Sequence, residues 1–118
     1  MREGGDYVRD FTYGSDAALG IALAYGKEKL AHTAYNIAVG KLFSVTEVAD
    51  ILNNIVPGAA LTVGSGSFEG NMALAGSLRG ALDITRARGD LGFEPEFELE
   101  KGLGAYIEYL QAHPEIMN

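Results

Sequence analysis

Tyr25 and Lys29 stand four residues apart. At that spacing on a helix the ammonium lies beside the phenol, favours the phenolate and fits the phenol to give or take a proton. The neighbours argue for water instead, because Gly26 frays a helix and Lys27 and Glu28 are at home in solvent. The run Gly64-Ser65-Gly66-Ser67-Phe68-Glu69-Gly70 follows a strand-like stretch and resembles a loop that lets backbone approach a dinucleotide pyrophosphate. Its spacing is G-x-G-x-x-x-G, not the G-x-G-x-x-G of that fingerprint, so a flexible turn is the better reading. His32 and His113 are far apart and neither belongs to an H-x-x-x-H or H-x-x-E-H arrangement, which speaks against a metal centre. Glu94, Glu96, Glu98 and Glu100 alternate with Pro95, Phe97 and Leu99, the pattern of an extended segment with its carboxylates in water. Paired-carboxylate catalysis needs a low-dielectric cleft that separates two pKa values, and nothing in that stretch supplies one. No serine lies in G-x-S-x-G with a His and an Asp spaced as a relay.

The chain that must position such groups has 118 residues, 47% apolar and 21% charged, the composition of one folded domain. Nine Lys and Arg against 16 Asp and Glu leave a net charge of −7, the opposite of a nucleic-acid or anionic-membrane footprint. With no cysteine there is no disulfide, no thiolate nucleophile and no Cys-type zinc site. Met1 to Asp6 has no apolar run behind its positive charge, no stretch is long and apolar enough to span a bilayer, and the chain is read as cytoplasmic. Residues 7–13 read as a short strand or extended segment. Ser15 is placed to cap, and Asp16 to favour, a helix running to about Lys29, with Lys27 and Lys29 near its negative end. Ala34 to Val39 reads as a buried strand closed by Gly40. Ser44-Val45-Thr46-Glu47 is a capping box ahead of a helix with Val48, Ile51, Leu52 and Ile55 on its apolar face, stopped by Pro57-Gly58. Ala60 to Val63 reads as a second strand, and the Gly-rich run from Gly64 to Gly76 has no assigned structure. Thr85 is placed to cap a short helix over roughly 86–91 that Gly92 ends. Leu99 to Leu110 forms the last helix, with Leu99, Leu103, Tyr106, Ile107 and Leu110 on one face and Pro114 beyond its end. The expected class is a mixed α/β domain, a small sheet with packed helices.

Three segments, in this order, resemble the C-terminal part of the extended short-chain dehydrogenases, the NAD-dependent sugar-nucleotide epimerase and dehydratase family. Arg9-Asp10-Phe11-Thr12-Tyr13-Gly14-Ser15-Asp16-Ala17-Ala18 is similar to R-D-F-[VI]-[HY]-V-x-D-[VA]-A, with Gly14 where Val is usual. Tyr35-Asn36-Ile37-Ala38-Val39-Gly40 with Ser44-Val45-Thr46-Glu47 is similar to Y-N-[VI]-G-[ST]-G-x-x-x-[ST]-[VI]-x-E, with Ala38 for the first Gly. Asp83-Ile84-Thr85-Arg86-Ala87-Arg88, Leu91-Gly92-Phe93-Glu94-Pro95 and Leu99-Glu100-Lys101-Gly102-Leu103 resemble D-[IST]-[ST]-[KR]-A-[KR]-x-x-L-G-[FWY]-x-P followed by L-x-x-G-[LI]. The family's cofactor loop and catalytic Tyr-x-x-x-Lys have no counterpart here. Tyr25 follows the Arg-Asp segment, whereas the family's catalytic pair precedes it.

The resemblance implies a single substrate-binding domain over residues 1–118 that closes over a sugar or nucleotide sugar carried on a separate Rossmann half, with NAD or NADP bound by that half. Arg9 matches the family's Arg that faces the substrate diphosphate, a task for which a guanidinium fork is suited. The alternative is that Arg9 pairs with Asp10 or Asp6. The string nearest to the family's R-x-G-D element, Phe68-Glu69-Gly70-Asn71, lacks both functional residues and lies too far upstream of Asp83, so a simpler sugar or sugar acid stays open as the substrate, and Arg79 is the cation placed to substitute. On this reading the chain is silent alone and self-associates to cover surface that the Rossmann half would bury. A free-standing binding or oligomerisation module derived from the same family is the second reading.

Overall fold

The computed structural model describes residues 3–66 and 80–117. Two short strands, β1 (Val8–Arg9) and β2 (Phe43–Ser44), pair antiparallel with Val8 opposite Ser44 and Arg9 opposite Phe43. Of the helices α1 (Gly14–Tyr25), α2 (Val45–Ile55) and α3 (Leu99–Ala112), α2 packs against β2 of this ribbon and α3 packs against α2. A π-helical turn, Ala87–Leu91, and a closing 3₁₀ turn, Pro114–Met117, complete the elements. The expected small sheet with packed helices is therefore present.

Local chemistry explains the elements that match expectation. The Ser44 hydroxyl accepts from the Glu47 amide at 3.1 Å while the Glu47 carboxylate accepts from the Ser44 amide at 2.7 Å, so α2 starts on a complete capping box. That arrangement stabilises the ionised Glu47, whose carboxyl sits below its usual range chiefly through the Ser44 amide. Gly92 adopts φ 71°, which reverses the chain after the π-turn and turns both Leu91 and Phe93 inward. Ala87, Leu91 and Phe93 form the buried core, against which Leu19 and Leu23 of α1 pack together with Tyr35 and Ile37.

Four elements depart from the sequence reading. Helix α1 is capped by Tyr13 without a side-chain bond and stops at Tyr25, so Ser15 is not its cap and Lys27 and Lys29 lie beyond it. Gly26 terminates it because it carries the largest entropic cost of helix formation and no apolar anchor follows, Tyr25 itself being 92% exposed. The strand expected over residues 34–39 is an extended segment without a partner strand among the described residues, although Ala38 and Val39 are buried as expected. Side chains fix it instead: Asn36 Nδ2 donates to the Asp83 carbonyl at 2.9 Å and the Tyr35 hydroxyl to Asp90 at 3.0 Å. The strand expected over residues 60–63 is likewise absent, because the Asn53 amide takes both the Leu61 N–H and its carbonyl. Thr85 does not cap the turn it opens; its own amide donates to Asp83 Oδ1 at 2.9 Å. Strand structure in the first segment is confined to Val8–Arg9, with extended chain on either side.

Long-range order comes from two aspartates of the first segment. Asp16, in the first turn of α1 and only 1% exposed, accepts from the Glu96 and Phe97 amides, each at 3.0 Å. The helix N-terminus and two N–H donors offset the cost of burying this carboxylate. Asp10 accepts from the Gly40 amide at 3.1 Å and the Leu82 amide at 3.1 Å. Asp16→Asn replaces one acceptor with a donor facing a backbone N–H, and is expected to lower unfolding stability by about 1–3 kcal/mol in urea titrations. An unchanged midpoint would remove Asp16 from its organising role.

Candidate functional site

Arg9 occupies β1, and the alternation of an extended chain sends its side chain opposite to that of Asp10 and onto the same side as Tyr7. The guanidinium carbon lies 3.9 Å from the centroid of the Tyr7 ring, and Nη1 donates to the Val8 carbonyl at 3.1 Å. Asp10 accepts from the Gly40 and Leu82 amides and Asp6 from the Gly66 amide at 2.7 Å. Arg79, the second cation singled out in the sequence, lies outside the described residues, as does the segment Phe68 to Asn71.

Beside Asp10, a polar cleft of about 360 Å³ opens between Val39-Gly40-Lys41 and Leu82 to Thr85, with Arg88 at its rim. Its cations are already matched, Lys41 by Glu98 and Arg88 by Glu94 at 2.6 Å. Sequence reasoning passed over both, although the alternating glutamates were the available signal. A larger and mainly apolar cleft of about 540 Å³ lies between the start of α1 and α3, lined by Phe11, Tyr13, Phe97, Leu103 and Tyr106. Tyr13 and Phe97 stack with centroids 4.6 Å apart, and Lys101 Nζ sits 4.3 Å from the Phe97 ring. A Cβ at Gly102 would meet Tyr13 Cδ2 at 3.3 Å, so the absence of a side chain there admits the ring.

The remaining candidates resolve into structural roles. Tyr25 and Lys29 do not share a helix, and the Tyr25 phenol faces water. The Nδ1 atom of His32 is 2.7 Å from Asp90, while Nδ1 of His113 is 2.9 Å from the Tyr109 carbonyl. Among the described residues no three His, Asp or Glu groups converge as metal ligands. The four glutamates of the alternating segment are exposed, as its pattern implied. The described part of the glycine run does not fit a dinucleotide: the Gly64 carbonyl accepts from Gly5 at 2.8 Å, and the Gly66 amide donates to the Asp6 carboxylate. That amide is occupied, and a carboxylate at this point repels a pyrophosphate. Among the described residues no helix is long and apolar enough to cross a membrane.

The hydrogen bond near His32 carries a pH signature. Asp90 is held below the usual carboxyl range, first by the bond to His32 and then by that to Tyr35. A depressed carboxyl favours the folded state above its unfolded value, about 3.9, and this contribution is lost as pH falls through the folded value. Below about pH 4 the wild-type urea midpoint is therefore expected to fall more steeply than that of Asp90→Asn. Parallel acid limbs for the two proteins would contradict this assignment.

No protein-family model matches the sequence. The chain is 31% identical over 108 residues to an uncharacterized UDP-glucose epimerase, YtcB, of Bacillus subtilis, covering 92% of this chain and 33% of that protein. Its fold superposes on the UDP-glucose 4-epimerase of Thermotoga maritima solved with UDP-glucose, with TM-score 0.74, 28% identity and coverage of 95% of this chain and 34% of that one. MoeE5, solved with UDP-glucuronic acid and NAD, matches with TM-score 0.77, 26% identity and coverage of 95% and 36%. The Bordetella bronchiseptica enzyme WbmF, solved with NADH, shares the fold with TM-score 0.78 at 24% identity, covering 98% of this chain and 33% of that one. This chain thus spans about a third of the relatives it matches. The resemblance to the NAD-dependent nucleotide-sugar epimerase and dehydratase family, first visible in three sequence segments, holds in both sequence and fold.

Proposed function

We propose that this chain is the substrate-binding portion of an NAD-dependent nucleotide-sugar epimerase or dehydratase, acting in the cytoplasm and catalytically silent by itself. The observation that carries the reading is the placement of Arg9: the residue that matches the family's diphosphate-facing arginine sits on β1 with its guanidinium over the Tyr7 ring. In a chain of net charge −7 an anionic substrate depends on a few placed cations. A guanidinium fork suits a diphosphate because it donates two parallel hydrogen bonds. Relatives solved with UDP sugars and NAD support a nucleotide-sugar substrate and a dinucleotide carried by the two thirds that this chain does not match. The occupied Gly66 amide supports the same division of labour.

Titration with UDP, followed by amide chemical shifts, tests the reading. Wild-type chain is expected to bind saturably, and Arg9→Ala to bind about tenfold or more weakly, the loss that follows from removing charge-assisted hydrogen bonds. Equal affinity of the two proteins, or no UDP binding by wild type, would overturn it. A second observation bears on what covers the chain. Ala18, Ile21, Ala22 and Tyr25 lie on one face of α1, with Ile21 71% and Tyr25 92% exposed. Such a strip calls for a covering surface, either the remainder of the enzyme or a second copy.

A further inference from the structure

We infer that Tyr7 is a positioning residue for Arg9, holding the guanidinium in the attitude in which it meets a diphosphate. The inference rests on the substrate-binding reading above and adds a residue to it. Tyr7 departs from that reading's motif, which begins at Arg9, so its role comes from the geometry of this chain.

The backbone of Tyr7 is fixed at both ends. Its amide donates to the Gly4 carbonyl at 3.2 Å, and its carbonyl accepts from the Val45 amide at 3.0 Å, the first residue of α2. The neighbouring Gly5 is locked as well, because its amide donates to Gly64 at 2.8 Å and its carbonyl accepts from Thr46 at 3.1 Å. A side chain at Gly5 would stand 2.5 Å from Thr46 Oγ1 and 2.7 Å from the Gly64 carbonyl, so the chain is pressed against α2 at this point. The Tyr7 ring therefore leaves a backbone that is hydrogen-bonded on both sides.

Arg9 lies two residues on, across from Phe43 in the ribbon. Alternation places both side chains on one face, and the long arginine folds back so that its guanidinium carbon rests 3.9 Å from the ring centroid. Nη1 bonds the Val8 carbonyl from the same position at 3.1 Å. On the other face of the chain, Asp10 holds the Gly40 and Leu82 amides and so prevents the segment from rolling about its axis. The ring contact thus restricts the guanidinium, and an arginine ordered before binding loses less rotamer freedom when the anion arrives. A planar guanidinium can stack in this way and still direct N–H groups outward from its edge, which an ammonium cannot do.

Two readouts test this on the intact chain. The first needs no ligand: in wild type the Arg9 Hδ and Hε resonances are expected to be shifted upfield by the Tyr7 ring current, to remain so in Tyr7→Phe, and to return to ordinary values in Tyr7→Leu. The second is UDP affinity. Tyr7→Phe is expected to bind as wild type, and Tyr7→Leu about three- to fivefold more weakly, the scale of a lost cation–π contact. In an Arg9→Ala background the Tyr7→Leu change is expected to have no further effect, whereas a merely structural tyrosine would weaken binding in both backgrounds. Ordinary Arg9 shifts in wild type, or equal UDP affinity of wild type and Tyr7→Leu, would overturn the positioning role. Upfield Arg9 shifts with no UDP binding by wild type would instead overturn the substrate reading and, with it, the role assigned to the stack.

Discussion

Two carboxylates six residues apart in sequence set the tertiary structure. Asp10 and Asp16 flank the Phe11 to Ser15 stretch, and together they accept the amides of Gly40, Leu82, Glu96 and Phe97. A two-stranded ribbon supplies few main-chain bonds between distant parts of the chain, so side-chain carboxylates take over the work of a larger sheet. Burial of the Asp16 carboxylate makes its bonds stronger and their loss costly, since the carboxylate itself has little access to water. Helix α1 begins at Gly14, after Tyr13, with Asp16 in its first turn, where the helix N-terminus favours a carboxylate.

The same constraint shapes the charge layout of the candidate site. Acidic residues outnumber basic ones, yet Asp6, Asp10 and Asp16 are spent on backbone amides, while Lys41 and Arg88 are matched by glutamates of the 94–98 segment. The Arg9 guanidinium rests on an aromatic ring, that of Tyr7. A guanidinium held over a ring keeps its charge and its hydrogen-bonding edge, the properties that recognition of a phosphate group requires.

Legibility in the sequence followed the range of the interaction. The capping box at Ser44 and Glu47, the Gly92 reversal and α3 depend on residues a few positions apart, and each was readable from residue types alone. The segments 34–39 and 60–63 have strand composition, but a strand exists only with a neighbour, and Asn53 and Asn36 amides hold these segments instead. The roles of Asp10 and Asp16 were hidden because their partners lie 30 to 81 residues away. Resemblance to the epimerase family pointed to Arg9 as a candidate and gave no hint of the Tyr7 ring beneath it. An aromatic two residues before an arginine in an extended segment was the signal, since alternation puts both on one face.

Native-state hydrogen exchange of the whole chain tests the central claim, that these two aspartates hold the fold together. If they do, the amides of Gly40, Leu82, Glu96 and Phe97 exchange only through global unfolding, at the same free energy as the core amides of α1. Exchange of those four amides as fast as that of exposed loop amides would contradict it.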